Sequence, residues 1–169
     1  MGAGCPVKDN YRKYRCCFTG HRPQYLKRPE DDIKVDLENS ILAAVRAGCH
    51  TFISGMAYGV DIWAAEIVIR MKDQFPDMNL HLIAVIPFAG FDEPWNEEWR
   101  RRYRALLSRA EYVKVMAPCF SKEAYQKRNE WMVNHSVRVI AVYNGQPGGT
   151  RNTVCYARRN NVPIQYLPG

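Results

Sequence analysis

The stretch Thr51-Phe52-Ile53-Ser54-Gly55-Met56-Ala57-Tyr58-Gly59-Val60-Asp61-Ile62-Trp63-Ala64-Ala65 decides the fold. Thr51 to Ser54 reads as a short buried strand, and it stops at Gly55. A turn of small residues follows. Val60, Trp63, Ala64, Ile67, Val68 and Met71 then recur at three- and four-residue steps, which gathers them on one wide face of an amphipathic helix. A strand that runs through a glycine turn straight into a helix is half of a β-α-β unit.

The same alternation extends in both directions. Upstream, Tyr14 to Thr19 is an apolar run ending at Gly20, and Leu37, Ile41, Ala44 and Val45 follow helical spacing up to a stop at Gly48. Downstream, Leu80 to Ile86 predicts a third strand stopped by Pro87. Pro94 to Ala110 predicts a helix with Trp95, Trp99, Tyr103, Leu106 and Leu107 on one side. Tyr112 to Met116 is a fourth strand, and Ser121 caps a helix running to about Ser136 with Trp131 and Met132 inward. Val137 to Tyr143 is a fifth strand. A glycine-rich loop, Gly145 to Thr150, then leads to a helix over Thr153 to Arg159, and Pro163 to Leu167 offers a sixth edge strand. The expected fold is α/β: a Rossmann-like, doubly wound parallel sheet, ordered about 3-2-1-4-5 with a possible sixth edge strand and helices on both faces. Residues 14–169 are expected to form one domain behind a flexible amino-terminal segment, 1–13.

Composition narrows the class. With 169 residues, 47% hydrophobic and 24% charged, the chain has the makeup of an ordinary globular protein with a core of its own. No stretch reaches the roughly 20 apolar residues of a membrane span, and the first residues do not read as a secretion signal, so a cytoplasmic location is expected. The six cysteines, at positions 5, 16, 17, 49, 119 and 155, make no C-x-x-C pair and have no zinc-ligand spacing. Reduced structural thiols are expected, with no metal and no cofactor. A net charge of +7 suits an anionic ligand or nucleic acid. The densest basic run, Arg100 to Arg102 with Arg104, follows Glu97 and Glu98 and reads as a solvated, ion-paired helix face.

Ligands of such sheets bind beyond the carboxyl ends of the strands, where strand order reverses. With the expected order, that point lies between the first and fourth strands. After the first strand come Gly20, His21 and Arg22, whose guanidinium fork suits a phosphate or, alternatively, a structural salt bridge. After the second come Ser54, Gly55, Met56, Ala57, Gly59 and Asp61, either an anion cradle at a helix start or a tight packing turn. After the fifth come Gly148, Gly149 and Thr150, a second cradle or a plain connection. Arg128 and Asn129, on the helix after the fourth strand, read as phosphate, ribose or base contacts, or as a polar helix face. Phe88, Phe91 and Trp95 either stack on a base or pack the sheet edge. Neither G-x-G-x-x-G nor a Walker A sequence is present.

Taken together, CCFTGHRPQ, SGMAYGVDIWAAE, PFAGFDEPW, RNEWMVNHS and AVYNGQPGGTRNTVCYA, spread over about Arg15 to Pro163, resemble the YpsA-like branch of the SLOG superfamily. That resemblance implies a Rossmann-like domain that binds nucleotides or nucleotide-derived ligands. SGMAYGVD is similar to the turn of the DprA/Smf DNA-processing proteins, which bind single-stranded DNA. Arg128, Met132 and Pro147 to Thr150 resemble the R-K-x-x-M and P-G-G-x-G-T-x-x-E segments of the lonely-guy phosphoribohydrolases, with Asn129 in place of the Lys. The Glu those enzymes use after the loop has no counterpart, since Arg151, Asn152, Thr153 and Val154 follow. Asp61 or Glu66 stands as a substitute carboxylate.

The expected function is therefore binding, or sensing, of a phosphorylated nucleotide-type small molecule. Two alternatives accompany it: N-glycosidic hydrolysis of a nucleotide with altered catalytic residues, and single-stranded nucleic-acid binding. Catalytic residues stay unassigned, no membrane partner is expected, and a homo-oligomer stays open.

Overall fold

The computed structural model describes residues 11–169. Most of the segment expected to be flexible, residues 1–10 with Cys5, lies outside them. Six strands, β1 (Arg15–Gly20), β2 (Thr51–Ser54), β3 (His81–Phe88), β4 (Tyr112–Ala117), β5 (Arg138–Val142) and β6 (Ile164–Leu167), form one sheet. Five helices connect them: α1 (Glu30–Arg46), α2 (Val60–Gln74), α3 (Glu97–Arg109), α4 (Lys122–Asn134) and α5 (Gly149–Arg159). Every pairing is parallel, as a sheet built from β-α-β units requires.

Alternation along the strands divides the core between the two faces. Cys16, Phe18, Phe52, Leu82, Ala84, Ile86, Ile140 and Val142 pack with the apolar faces of α1, α2 and α3. Cys17, Ile53, Ile83, Val85, Val139 and Ala141 pack with Met132 and Val133 of α4 and Val154 and Ala157 of α5. Strands covered on both faces read as continuous apolar runs. Cys16, Cys17 and Cys49 are buried free thiols, and burial pushes Cys17 up to about 12. Among the described residues no helix is long and apolar enough to cross a membrane.

The strand order, β4-β3-β2-β1-β5-β6, corrects the expected 3-2-1-4-5. β4 does not sit beside β1; it continues outward past β3, and α4 carries the chain back across the sheet to β5. The physical reason is that β4 cannot be buried on both faces. Tyr112 and Val115 are 51% and 46% exposed, and Lys114 lies mid-strand, a charge that an edge tolerates and a centre does not.

Three of the boundary shifts have a local cause or consequence. β3 runs through Pro87 to Phe88; Pro87 lies beyond the last pair with β2, Ser54 with Ala84, so its missing N–H breaks no bond there. α3 begins at Glu97 rather than Pro94, because Asn96 caps it by accepting the Trp99 N–H at 3.0 Å. α5 begins at Gly149 rather than Thr153, which turns part of the expected loop into the first turn of a helix.

Candidate functional site

The point where strand order reverses lies between β1 and β5, not between β1 and β4. A cleft of about 510 Å³ opens there, at the carboxyl end of the sheet. Two strand-to-helix corners and one face of α4 form its walls.

The corner after β5 is open. Gly148 takes φ +133, a conformation side chains other than glycine's rarely adopt, and so turns the chain into α5. The Asn152 N–H donates to the Gly148 carbonyl at 3.0 Å and closes the first turn. The amides of Gly149, Thr150 and Arg151 therefore precede the first intrahelical bond. No acidic side chain stands in that turn, and a Cβ built on Gly148 or Gly149 would meet nothing within 4 Å. Free amides at the positive end of a helix form an anion site.

The corner after β2 is filled. The Met56 N–H donates to Ser54 Oγ at 3.1 Å, the Ser54 hydroxyl donates to the Asp61 carbonyl at 2.9 Å, and the Ala57 N–H donates to Asp61 Oδ2 at 3.3 Å. These bonds hold Met56 at φ 60 with its side chain in the core. At Gly55 a Cβ would lie 2.6 Å from Arg128 Nη1 and 2.8 Å from Asp61 Oδ2. Gly55 is thus the space in which the Arg128 guanidinium reaches the Gly55 carbonyl and donates to it. Gly59, at φ +95, admits Pro23.

Most of the expected residues converge on the cleft. Gly20 and Arg22 come from the end of β1, Ala57 and Asp61 from the filled corner, Arg128 and Asn129 from α4, and Gly148, Gly149 and Thr150 from the open corner. Ser54, Gly55, Met56 and Gly59 do not line it. They stand behind it, because their polar groups and free space are taken up by Asp61, Arg128 and Pro23. Glu66 is excluded from the site as well, since both its oxygens accept from Arg102 at 2.7 Å.

The cleft's charges are buried unequally. Asp61 is 6% exposed and Arg128 7%, whereas Arg22 is exposed and donates to the Tyr58 hydroxyl at 3.2 Å. Burial raises the Asp61 carboxyl from 3.8 to about 6, against the opposing pull of Arg128, the Ala57 N–H and Arg22. Burial likewise lowers Arg128. Among the described residues, Asp61 Oδ1 and Arg128 Nε find no hydrogen-bond partner. His21 stacks on Tyr143 at 5.5 Å, and burial lowers its pKa, which favours a neutral imidazole.

Tyr25, Lys122, Tyr125 and Asn152 also line the cleft and were not singled out in the sequence. For Tyr125 a signal existed: Tyr125, Arg128, Asn129 and Met132 follow three- and four-residue spacing, which puts them on one face of α4. Phe91 and Trp95 pack edge to face at 4.8 Å, and Phe88 packs against Phe91, Phe120 and Tyr125.

The model of the YspA SLOG family (YpsA) matches residues 16–167. A UPF0398 protein of Bacillus cereus (strain B4264) is 30% identical over 155 residues, which cover 87% of this chain and 83% of that one. Among solved structures, the chain resembles DNA processing protein A of Helicobacter pylori, described with its single-stranded DNA binding mode: TM-score 0.63, 21% identity, 96% of this chain and 69% of that one. It also resembles DprA of Streptococcus pneumoniae, with TM-score 0.64 and 17% identity over 92% of this chain and 50% of that one.

Proposed function

The chain belongs to the YspA SLOG family, and on that premise we propose that it binds a nucleotide or nucleotide-derived phosphate in the cleft between β1 and β5. One observation carries the reading: an acid-free helix N-terminus with unhindered amides opens onto the same cleft as two guanidinium groups and a buried carboxylate with an unpartnered oxygen. The phosphate sits on the Gly149 to Arg151 amides, with Arg22 and the exposed Lys122 adding charge. Asp61 Oδ1 accepts from a ribose hydroxyl, and Asn129 reads a second hydroxyl or a base edge. Binding is placed ahead of N-glycosidic cleavage because the first turn of α5 carries no carboxylate, and Asp61, the carboxylate among the described residues lining the cleft, is held by the Ala57 N–H next to the Arg128 guanidinium.

A thermal-shift panel of nucleoside phosphates, cyclic nucleotides and ADP-ribose tests this. A ligand at a hundredfold excess over its Kd stabilises by about 2.7 kcal/mol, which raises Tm by about 5–10 °C in a chain of this size. The shift is expected to vanish when Arg22 and Arg128 are both replaced. A shift that survives that loss, or no shift with any compound, contradicts the reading.

Single-stranded DNA is the second reading, favoured by the net charge of +7 and the likeness to the Helicobacter pylori DNA processing protein A. Binding that weakens steeply from 50 to 200 mM salt, about tenfold or more, supports it; salt-independent binding removes it.

A further inference from the structure

A second cleft, of about 330 Å³, adjoins the first, and Arg22 and Tyr125 line both. Its wall is aromatic. Tyr58 meets Trp95 edge to face at 5.4 Å and Trp99 at 5.8 Å, and all three rings are only half-buried. Phe91, behind them, is buried against Trp95 and Tyr103 and holds the wall in place. None of the described residues lining this cleft carries a carboxylate. Asn96 already accepts the Trp99 N–H through its side-chain oxygen.

Arg22, with Tyr125, stands where the two clefts meet. Its Cζ lies 4.6 Å from the Tyr58 ring centroid and its Nη1 donates to the Tyr58 hydroxyl, which also accepts from Gln24 Nε2 at 3.2 Å. The charge is therefore held beside a group that extends from one cleft into the other. A wall of rings without an acid selects a neutral planar group by stacking. A cationic ring is disfavoured by Arg22, and an aliphatic chain gains no stacking. An anionic linker suits the crossing point.

We infer that the aromatic cleft is a base-stacking subsite, and that the ligand class is a nucleotide with a second base joined through phosphate. The first nucleoside occupies the deep cleft beside Asp61 and Asn129, the linking phosphate passes Arg22, and the second base lies against Tyr58, Trp95 and Trp99. This rests on the reading of the main cleft given above and specifies its ligand. Two sources share the chemistry: a dinucleoside polyphosphate and the end of a DNA strand.

Calorimetric titration of the full chain with AMP, with diadenosine triphosphate and with 5′-phosphorylated d(ApA) tests it, with tryptophan fluorescence followed in parallel. At least one two-base ligand is expected to bind about tenfold or more tighter than AMP, since stacking on an aromatic side chain is worth about that factor. It is also expected to quench tryptophan emission, which AMP leaves unchanged. Whichever of the two binds tighter identifies the source. The ratio of the AMP and two-base Kd values is the quantity read, and Tyr58→Phe, which lacks the hydroxyl that Arg22 donates to, controls for loosening of Arg22. Tyr58→Leu is expected to bring the ratio close to one, and Tyr58→Phe, which keeps the ring and removes the hydroxyl, to restore it. AMP binding with a wild-type ratio near one and no quenching overturns the subsite and leaves the main cleft standing. Failure of all three ligands to bind overturns both. The wild-type ratio and the quenching decide the matter even if a variant misfolds.

Discussion

The corner from Ser54 to Asp61 and the corner from Gly145 to Thr150 both carry a strand through glycine into a helix at the same end of the sheet. The first supplies its own anion: the Asp61 carboxylate takes the Ala57 N–H, and Arg128 fills the space over Gly55. The second supplies none, and its glycines face open space. A glycine turn before a helix is thus not in itself a ligand cradle. What decides is whether protein groups already occupy the positive end of the helix. The filled corner positions charges, and the open one is left to receive a charge from outside.

The largest effect expected from this contrast is at Gly55. In Gly55→Ala a methyl would lie 2.6 Å from Arg128 Nη1. Pushing the guanidinium off the Gly55 carbonyl strands a buried charge and a buried acceptor, at a cost of about 2–4 kcal/mol in urea unfolding. Gly149→Ala meets no atom and is expected to change stability by less than about 0.5 kcal/mol. Equal costs at the two positions would break the comparison.

The second effect is a pH dependence of the filled corner. A carboxyl raised from 3.8 to about 6 binds its proton more tightly in the folded chain than in the unfolded one. Its stabilising contribution is complete below the unfolded value and is lost as pH rises through 6. In total this amounts to about 3 kcal/mol. Denaturation at pH 4, 5, 6 and 7 is expected to show the wild type losing stability against Asp61→Asn across that window. A difference that is flat, or that grows in favour of the wild type, contradicts the buried, disfavoured charge.

The smallest effects sharpen the open corner. Arg22→Ala, at an exposed side chain, is expected to leave Tm within about 2 °C and weaken a nucleoside phosphate about tenfold. Gly149→Ala is expected to weaken the same ligand by a few-fold, because the methyl enters the anion's space. Both are read by calorimetric titration. Loss of stability without loss of affinity at either position would reverse the roles assigned to the corners.

The layered sheet was legible because the signals for it are local. The spacing from Val60 to Met71 and the apolar runs of the strands each report burial of one face or both. The place of β4 was not legible from connectivity, since nothing local states which neighbour a strand pairs with. Lys114 within Tyr112 to Ala117 was the clue to an edge. In the site, the sequence separated the residues that follow strands from the rest, and Arg22, Asp61, Arg128 and Gly148 to Thr150 do meet in one cleft. It did not separate Gly55 from Gly149. The two glycines differ only in what approaches them from elsewhere in the chain, and Arg128 lies 73 residues from Gly55. Lys122 and Tyr25 escaped notice for the same reason: each reaches the cleft through tertiary placement.

Amide resonances report directly which of the two corners holds the phosphate. During titration of isotopically labelled protein with a nucleoside 5′-monophosphate, the Gly149, Thr150 and Arg151 N–H signals are expected to move downfield together, as amides do on donating to an anion, while those of Val60 and Ile62, in the first turn of α2, stay nearly still. Movement at Val60 and Ile62 with Gly149 to Arg151 unchanged would place the phosphate on the filled corner and reverse the assignment.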